Sequence, residues 1–412
     1  MIKLLIMDVD GTLTDGGIYY DDSGHEMKKF NVKDGAGITK LKKYGVKTMI
    51  LTGRKSDCVA KRSEELKIDY VFQGIENKAE YLKKFIEDNN LDSNAIAYIG
   101  DDINDIECMQ YATFTACPLD AVDQVKNNVW VVCEKKGGEG AVREFIDFME
   151  LECMFFKKIK DEKNAWYTKN KLRAHACGGI DGVAYTNSWE ALNQSYQKGI
   201  KVIELDMTVT SDARVVISHN FMPEISGKFD TETPTFDEFM NSSIAGKYTP
   251  MSLQMLLEFM EKHPDVYIVV DHPAKGFNRL VKIITYMLKV IDSKKINNRV
   301  LKQFIIQVFT VREYDWLNSL GKFKNIEFYF SARRDIEGTI EFISNNNVHT
   351  VSINKVRLNK EIVSKFSRIG VRVFSPSINS IEEVKSAFEM GLWGVTSDFL
   401  DNKQLDNIIG GN

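Results

Sequence analysis

Over residues 1–150, short apolar runs alternate with segments whose apolar positions recur at helical spacing. Lys3–Met7, Lys47–Leu51, Tyr70–Phe72, Ala95–Ile99, Thr113–Ala116 and Val129–Val132 read as strands, with helices such as Ser56–Leu66 and Ala79–Glu87 between them. Strands separated by helices imply a parallel sheet covered on both faces, a Rossmann-like α/β arrangement. One segment breaks the alternation. Residues 16–30, GGIYYDDSGHEMKKF, show period-two patterning on each side of Asp-Asp-Ser-Gly, which predicts a β-hairpin.

A helical pattern then runs into the polar stretch KKIKDEKNAWYTKN, so residues 151–170 read as helix and linker. A second series of strands occupies residues 171–410: Leu172–His175, Lys201–Asp206, Arg214–Ser218, Tyr267–Asp271, Phe304–Phe309, Ile326–Phe330, Val348–Ile353, Val371–Ser375 and Gly394–Ser397. Helical segments separate most of them. That length and strand number suit a (β/α)8 barrel of the TIM type better than an open sheet. The expected division is 1–150, 151–170 and 171–410.

The chain has 412 residues, too many for one core, and its 43% hydrophobic and 27% charged content is that of a globular protein. A net charge of −4 without a basic stripe argues against nucleic-acid binding. The six cysteines have no CxxC pairing and read as reduced thiols. No apolar stretch approaches the roughly 20 residues needed to span a bilayer, and MIKLLIMDVDG reads as a first strand and not as a leader. A cytoplasmic protein without membrane insertion is expected.

Strand Lys3–Met7 delivers Asp8-Val9-Asp10-Gly11-Thr12 to the end of a parallel strand, where open α/β sheets bind ligands. A carboxylate can attack phosphorus only if a cation neutralises both partners, and a second acid must protonate the leaving oxygen. Thr52-Gly53-Arg54 follows another strand with a hydroxyl and backbone donors, and Lys78 opens a helix where it can pair with phosphate. Gly100-Asp101-Asp102-Ile103-Asn104-Asp105 adds the acidic groups of an oxygen-ligand site suited to Mg²⁺. This ordered set resembles the haloacid-dehalogenase phosphatase superfamily. The resemblance implies Asp8 as nucleophile, Asp10 as general acid/base, and Asp101 as metal ligand with both, with Asp105 supporting. Thr52, Gly53, Arg54 and Lys78 would then hold the phosphate.

About 40 residues separate Asp10 from Thr52, too few for a cap domain beside the hairpin and a helix. Phe30-Asn31-Val32-Lys33-Asp34-Gly35-Ala36-Gly37-Ile38 and Gly137-Gly138-Glu139-Gly140-Ala141-Val142-Arg143-Glu144 resemble signatures of the capless octulosonate-phosphate phosphatase group. That likeness implies a homotetramer in which a neighbour's hairpin closes the site, acting on phosphates of acidic sugars.

In the second strand series, His175 ends the first strand and Glu204 and Asp206 share one face of the second. Val209–Val215 is too short for a crossover helix, so the next strand must return antiparallel; with Ser211 facing Arg214, Asp206 lies opposite His219. Asp271 adds a third carboxylate. Two histidines with three carboxylates make a metal-assisted phosphodiesterase site, in which one imidazole accepts a proton and the other donates one. The constellation resembles the glycerophosphodiester phosphodiesterase family and, more distantly, the toxin phospholipase D enzymes that share its phospholipase-C-like barrel. Ser188-Trp189-Glu190-Ala191-Leu192 after Asn187, Ile217-Ser218-His219-Asn220 and Gly394-Val395-Thr396-Ser397-Asp398 support it. The resemblance implies His175 and His219 as acid and base, with Glu204, Asp206 and Asp271 on Mg²⁺ or Ca²⁺. Ala176, Thr186, Asn220 and Pro273 stand where the family usually has Arg, Glu, Asp and Lys, with Lys275 slightly later.

The expected protein is a bifunctional phosphohydrolase of surface-polysaccharide, capsule or glycerol-phosphate metabolism. Its substrates would be a phosphorylated sugar or polyol and a glycerophosphodiester. The alternative is a single phosphatase with a non-catalytic binding or scaffold barrel.

Overall fold

The computed structural model describes residues 1–219, 221, 233–272, 276–331 and 334–410. They form two compact units, Met1–Lys158 and Ile159–Asn412.

In the first unit a six-stranded sheet has Leu4–Met7 between Lys47–Leu51 and Ile96–Ile99, with Tyr70–Phe72 outside the former and Phe114–Cys117 and Val131–Val132 beyond the latter. Every pairing is parallel. The chain leaves Leu4–Met7 towards one sheet edge and later returns to fill the other side. The crevice at the carboxyl end of Leu4–Met7 is therefore the switch point where such sheets bind ligands. Helices cover both faces: Ile38, Val59, Val142 and Phe145 pack one side, and Leu82, Ile86, Cys108 and Val125 the other.

The hairpin pairs Tyr19–Tyr20 with Glu26–Met27, and the Asp21 carboxylate accepts from the Ser23 and His25 amides to hold its turn. Between Gly11 and Thr52 the chain holds only this hairpin, the helix Val32–Lys40, the short turn Leu41–Tyr44 and the strand Lys47–Leu51, so no cap domain is inserted there. The Gly137-Gly138 pair packs on the loop after Leu4–Met7, where a Cβ on either glycine would run into backbone of residues 11–15. The buried Asp34 carboxylate accepts from the Arg143 amide at 2.7 Å, tying the Phe30–Ile38 segment to the helix Ala141–Leu151.

The second unit is a closed barrel of parallel strands: Leu172–Ala174, Val202–Val209, Tyr267–Asp271, Phe304–Val308, Asn325–Phe330, Thr350–Ile353, Arg372–Ser377 and Gly394–Ser397. Leu172–Ala174 closes it by pairing with both Val202–Val209 and Gly394–Ser397. Trp166 and Tyr167 pack with Val202, Val269, Ile305 and Phe374 in one core cluster. Beside it, buried Arg173 pairs with buried Glu327, which also accepts from Gln307 and Ser352. The stretch read as helix and linker thus supplies Phe155 to the first core and Trp166 to the second.

Strand Val215–Ile217 returns antiparallel beside Val202–Val209, as expected, but the register differs by one residue. Met207 faces Ile217, and the Ser218 amide donates to the Asp206 carbonyl, so Asp206 lies opposite Ser218 and not His219. The cause is the turn. Thr210 and Arg214 are hydrogen-bonded across a three-residue loop, Ser211-Asp212-Ala213, with Ala213 at φ 61°. A loop of this kind needs a left-handed third residue, and Ala does not announce one.

Candidate active sites

Asp8 leaves the central strand of the first sheet buried, and its Oδ1 accepts from the Lys78 ammonium at 2.7 Å. Lys78 also donates to Asp105 Oδ1 at 2.9 Å. Asp105, wholly buried, accepts from the Tyr98 hydroxyl at 2.7 Å and from the amides of Asp101 and Asp102 at 3.0 and 3.3 Å. Its oxygens are thus already engaged, which makes it chiefly an organiser of the Asp101–Asp102 turn. Thr12 donates to Asp101 Oδ1 at 2.9 Å. Gly11, at φ 87°, lets the backbone pass so close to Asp101 that a Cβ would collide with that carboxylate.

Asp8, Asp101 and Asp105 bring ligand atoms within 4.8 Å of one another. Burial, reinforced by Asp105, pushes Asp8 up to about 8 despite Lys78. Burial also pushes Asp101 up to about 6, against the Thr12 hydrogen bond. Crowded carboxylates that resist ionisation are a fitting donor set for a hard divalent cation. Asp10 is not in this cluster: its carboxylate pairs with Lys28 of the hairpin. Thr52 is buried where Lys47–Leu51 ends, followed by Gly53, and Arg54 donates to Glu26 at 3.1 Å.

In the barrel, Glu204, Asp206 and Asp271 also bring ligand atoms within 4.8 Å of one another. Asp206 and Asp271 are register partners on adjacent parallel strands, which places them on one face. Glu204 Oε2 accepts from the Ala176 amide at 2.8 Å, and Asp206 Oδ2 from the Asn187 side chain at 2.9 Å. Burial raises Glu204 to about 7 against the pull of His175, and burial with Glu204 and Asp271 holds Asp206 well above the carboxylate range. This too fits a hard cation.

His175 Nδ1 donates to Asp398 Oδ1 at 2.8 Å, which leaves Nε2 as the working nitrogen. Burial disfavours the imidazolium, but the Asp398 hydrogen bond and the Glu204 charge outweigh it and lift His175 to about 9. The Tyr185 ring stands edge-on to both imidazoles, 4.4 Å from His175 and 5.7 Å from His219 between centroids. The register correction therefore leaves His219 beside the site, because the chain departs from the strand after Ile217. Ala176, Cys177, Tyr185 and Asn187 hold φ of 45°, 71°, 62° and 48°. Left-handed non-glycine residues gathered at one place indicate a functional constraint.

Residues 179–402 match the glycerophosphoryl diester phosphodiesterase family. The chain belongs to that family. Residues 18–117 match the haloacid dehalogenase-like hydrolases. The 3-deoxy-D-manno-octulosonate 8-phosphate phosphatase of Escherichia coli K12 is 37% identical over 150 residues, covering 36% of this chain and 80% of that protein. The N-acylneuraminate cytidylyltransferase A of Danio rerio is 34% identical over 152 residues, 37% of this chain and 35% of that protein. A solved octulosonate-phosphate phosphatase from Moraxella catarrhalis, in complex with magnesium, phosphate and the sugar acid, is 38% identical, covers 36% of this chain and 85% of that one, and has a TM-score of 0.35. The chain thus joins a domain of the haloacid-dehalogenase phosphatases to one of the glycerophosphoryl diester phosphodiesterases, families of phosphoric monoester and diester hydrolases.

Asp398 and Tyr185 of the phosphodiesterase site were not singled out from sequence. Asp398 lies 223 residues from His175, and only closure of the barrel joins them. The Gly394–Asp398 match to the family was the available signal. Of the departures, Ala176 keeps its amide on Glu204 and Thr186 is buried against Ser188, while Asn220, Pro273 and Lys275 lie outside the described residues. Among the described residues no helix is long and apolar enough to cross a membrane.

Proposed function

We propose that the first unit removes phosphate from an acidic sugar or polyol phosphate through a phosphoaspartate on Asp8, and that the barrel hydrolyses a phosphodiester of the glycerophosphodiester class. Two separate carboxylate clusters, each with its own proton-transfer groups, carry this reading. Bound Mg²⁺ at Asp8 and Asp101, and Mg²⁺ or Ca²⁺ at Glu204, Asp206 and Asp271, would neutralise the phosphoryl charge. Lys78 holds Asp8 in place for attack, and Asp10 gives the proton to the departing oxygen and later takes one from water. Thr52, the Gly53 backbone and Arg54 grip the phosphoryl oxygens. In the barrel Asp398 fixes the tautomer of His175, and His175 and His219 divide the acid and base roles. The 80% coverage of a sugar-acid phosphatase supports an acidic sugar phosphate as the first substrate, and with it a place in surface-polysaccharide or glycerol-phosphate metabolism. A homotetramer closing each open site with a neighbour's hairpin is supported by the exposed Ile18, Tyr19, Tyr20 and Met27. Ala176 and Thr186 favour one second reading, a non-catalytic barrel.

A phosphate-release screen over sugar phosphates and glycerophosphodiesters, with light scattering on the same sample, tests the proposal. Expected are turnover in both classes and a tetramer. No diester turnover with either cation would leave the scaffold reading, and a fully active monomer would refute the shared lid.

A further inference from the structure

We propose that a basic groove on the catalytic face of the barrel is a second anion subsite, taking a phosphate-class group carried by the diester substrate. This rests on the diesterase reading. The groove encloses about 750 Å³ between Val209–Ser211, where the barrel strand Val202–Val209 turns back towards Val215–Ile217, and the N-terminal parts of the helices Phe277–Lys294 and Val311–Ser319. Both helices follow barrel strands, so their first turns belong to the face where such barrels do chemistry.

Arg279, Lys282 and Arg312 line it, and among the described residues none of them meets a carboxylate. Arg279 donates to the Thr208 hydroxyl, while its buried Nε has no acceptor. Arg312 lies 4.1 Å over the Phe277 ring, and that ring packs edge-on against Trp316. The 18-residue helix beginning at Phe277 has no capping side chain and no acid in its first turn, and places Arg279 there. A cation at the positive end of a helix is unfavourable by itself. An anion in the groove would satisfy the helix end and all three cations together.

The groove is also placed to serve the reaction. Thr208 shares its strand face with Glu204 and Asp206, two residues beyond the latter, which is roughly 7 Å along a strand. A diester whose scissile phosphate lies at the metal carboxylates could set a second anionic group against Arg279 across about one sugar ring. Ala176 offers no side-chain grip for phosphate, and the groove supplies positive charge at a greater distance, so selectivity would shift to diesters with an additional anion.

The test is calorimetric titration of the full-length chain with inorganic pyrophosphate in EDTA, so that neither carboxylate cluster holds metal. Saturable binding is expected. Lys282→Gln/Arg312→Gln, both at exposed positions, should weaken it at least about tenfold, and Arg279→Gln should do the same. Equal affinity in all variants, or no binding by the parent, overturns the subsite. The second arm compares kcat/KM for bis(p-nitrophenyl) phosphate with that for a diester bearing a terminal phosphonate, which the phosphatase unit cannot remove. The preference for the phosphonate should fall about tenfold in the double variant. An unchanged preference overturns the substrate role of the groove. Pyrophosphate binding without turnover of either diester refutes the diesterase reading and leaves the groove an anion site.

Discussion

Asp8, Asp101 and Asp105 in the first unit, and Glu204, Asp206 and Asp271 in the second, are equally crowded clusters, with ligand atoms within 4.8 Å in each. They differ in what offsets their charge. The Lys78 ammonium is hydrogen-bonded to two members of the first. In the second, Glu204 and Asp206 accept from neutral donors, the Ala176 amide and the Asn187 side chain, while the nearby Arg173 is committed to Glu327. The phosphatase cluster is thus partly neutralised by a cation of its own chain, whereas His175 is the nearest counter-charge to the barrel cluster that is not already committed to Glu327. The difference teaches that matching carboxylate geometry does not imply matching dependence on metal.

The comparison can be broken most forcefully at the groups that flank each cluster. Asp398→Asn should lower diester kcat by about 10³-fold with little change in KM, because His175 loses the acceptor that fixes its tautomer. The limb of the diester pH profile that His175 sets should move to lower pH with it, because the Asp398 carboxylate helps to hold that imidazole at about 9, and a purely structural role would not produce this shift. Lys78→Met should lower monoester kcat by about 10²-fold and destabilise the first unit by about 3 kcal/mol or more, since Asp8 and Asp105 are left buried without their cation. Kinetics and a chemical melt of the variant check both parts.

A smaller effect sharpens the contrast by pH. In the metal-free chain, folding raises Asp101 to about 6 and Asp8 to about 8, so the folded state holds protons more tightly than the unfolded one. Stability of that form should therefore fall as pH rises from the ordinary carboxylate range to about 8. Bound metal displaces those protons, so Mg²⁺ affinity should rise through the same window, by up to about tenfold per pH unit for each proton released, and level off above it. Glu204, raised to about 7, predicts the same trend in the barrel. Calorimetry at several pH values in two buffers of different ionisation enthalpy measures the proton release.

Much of this architecture was legible because it is local. Each phosphatase motif stands at the end of an apolar strand, and the parallel sheet brings Asp8, Lys78 and Asp101 together with little further choice. Glu204 and Asp206 were legible for the same reason, since strand alternation alone puts them on one face. What escaped depends on long-range closure or on backbone conformation. Asp398 meets His175 only once the barrel's last strand pairs with its first. Tyr185 reaches both histidines from a left-handed position with no glycine to mark it. The one-residue register error came from Ala213, whose left-handed backbone lengthens the loop that Ser-Asp-Ala would otherwise leave at two residues. The polar letters of residues 157–170 conceal Trp166 and Tyr167, whose burial appears only when the barrel interior is assembled.

The central claim, two independent ester-hydrolysing sites in one chain, is tested most directly by a crossed loss of activity. Asp8→Asn and His175→Ala are each assayed on p-nitrophenyl phosphate and bis(p-nitrophenyl) phosphate with Mg²⁺ present. Asp8→Asn should abolish monoester turnover by at least about 10³-fold and spare the diester, and His175→Ala should do the reverse. Loss of both activities in either variant, or diester turnover that survives His175→Ala, would contradict the account.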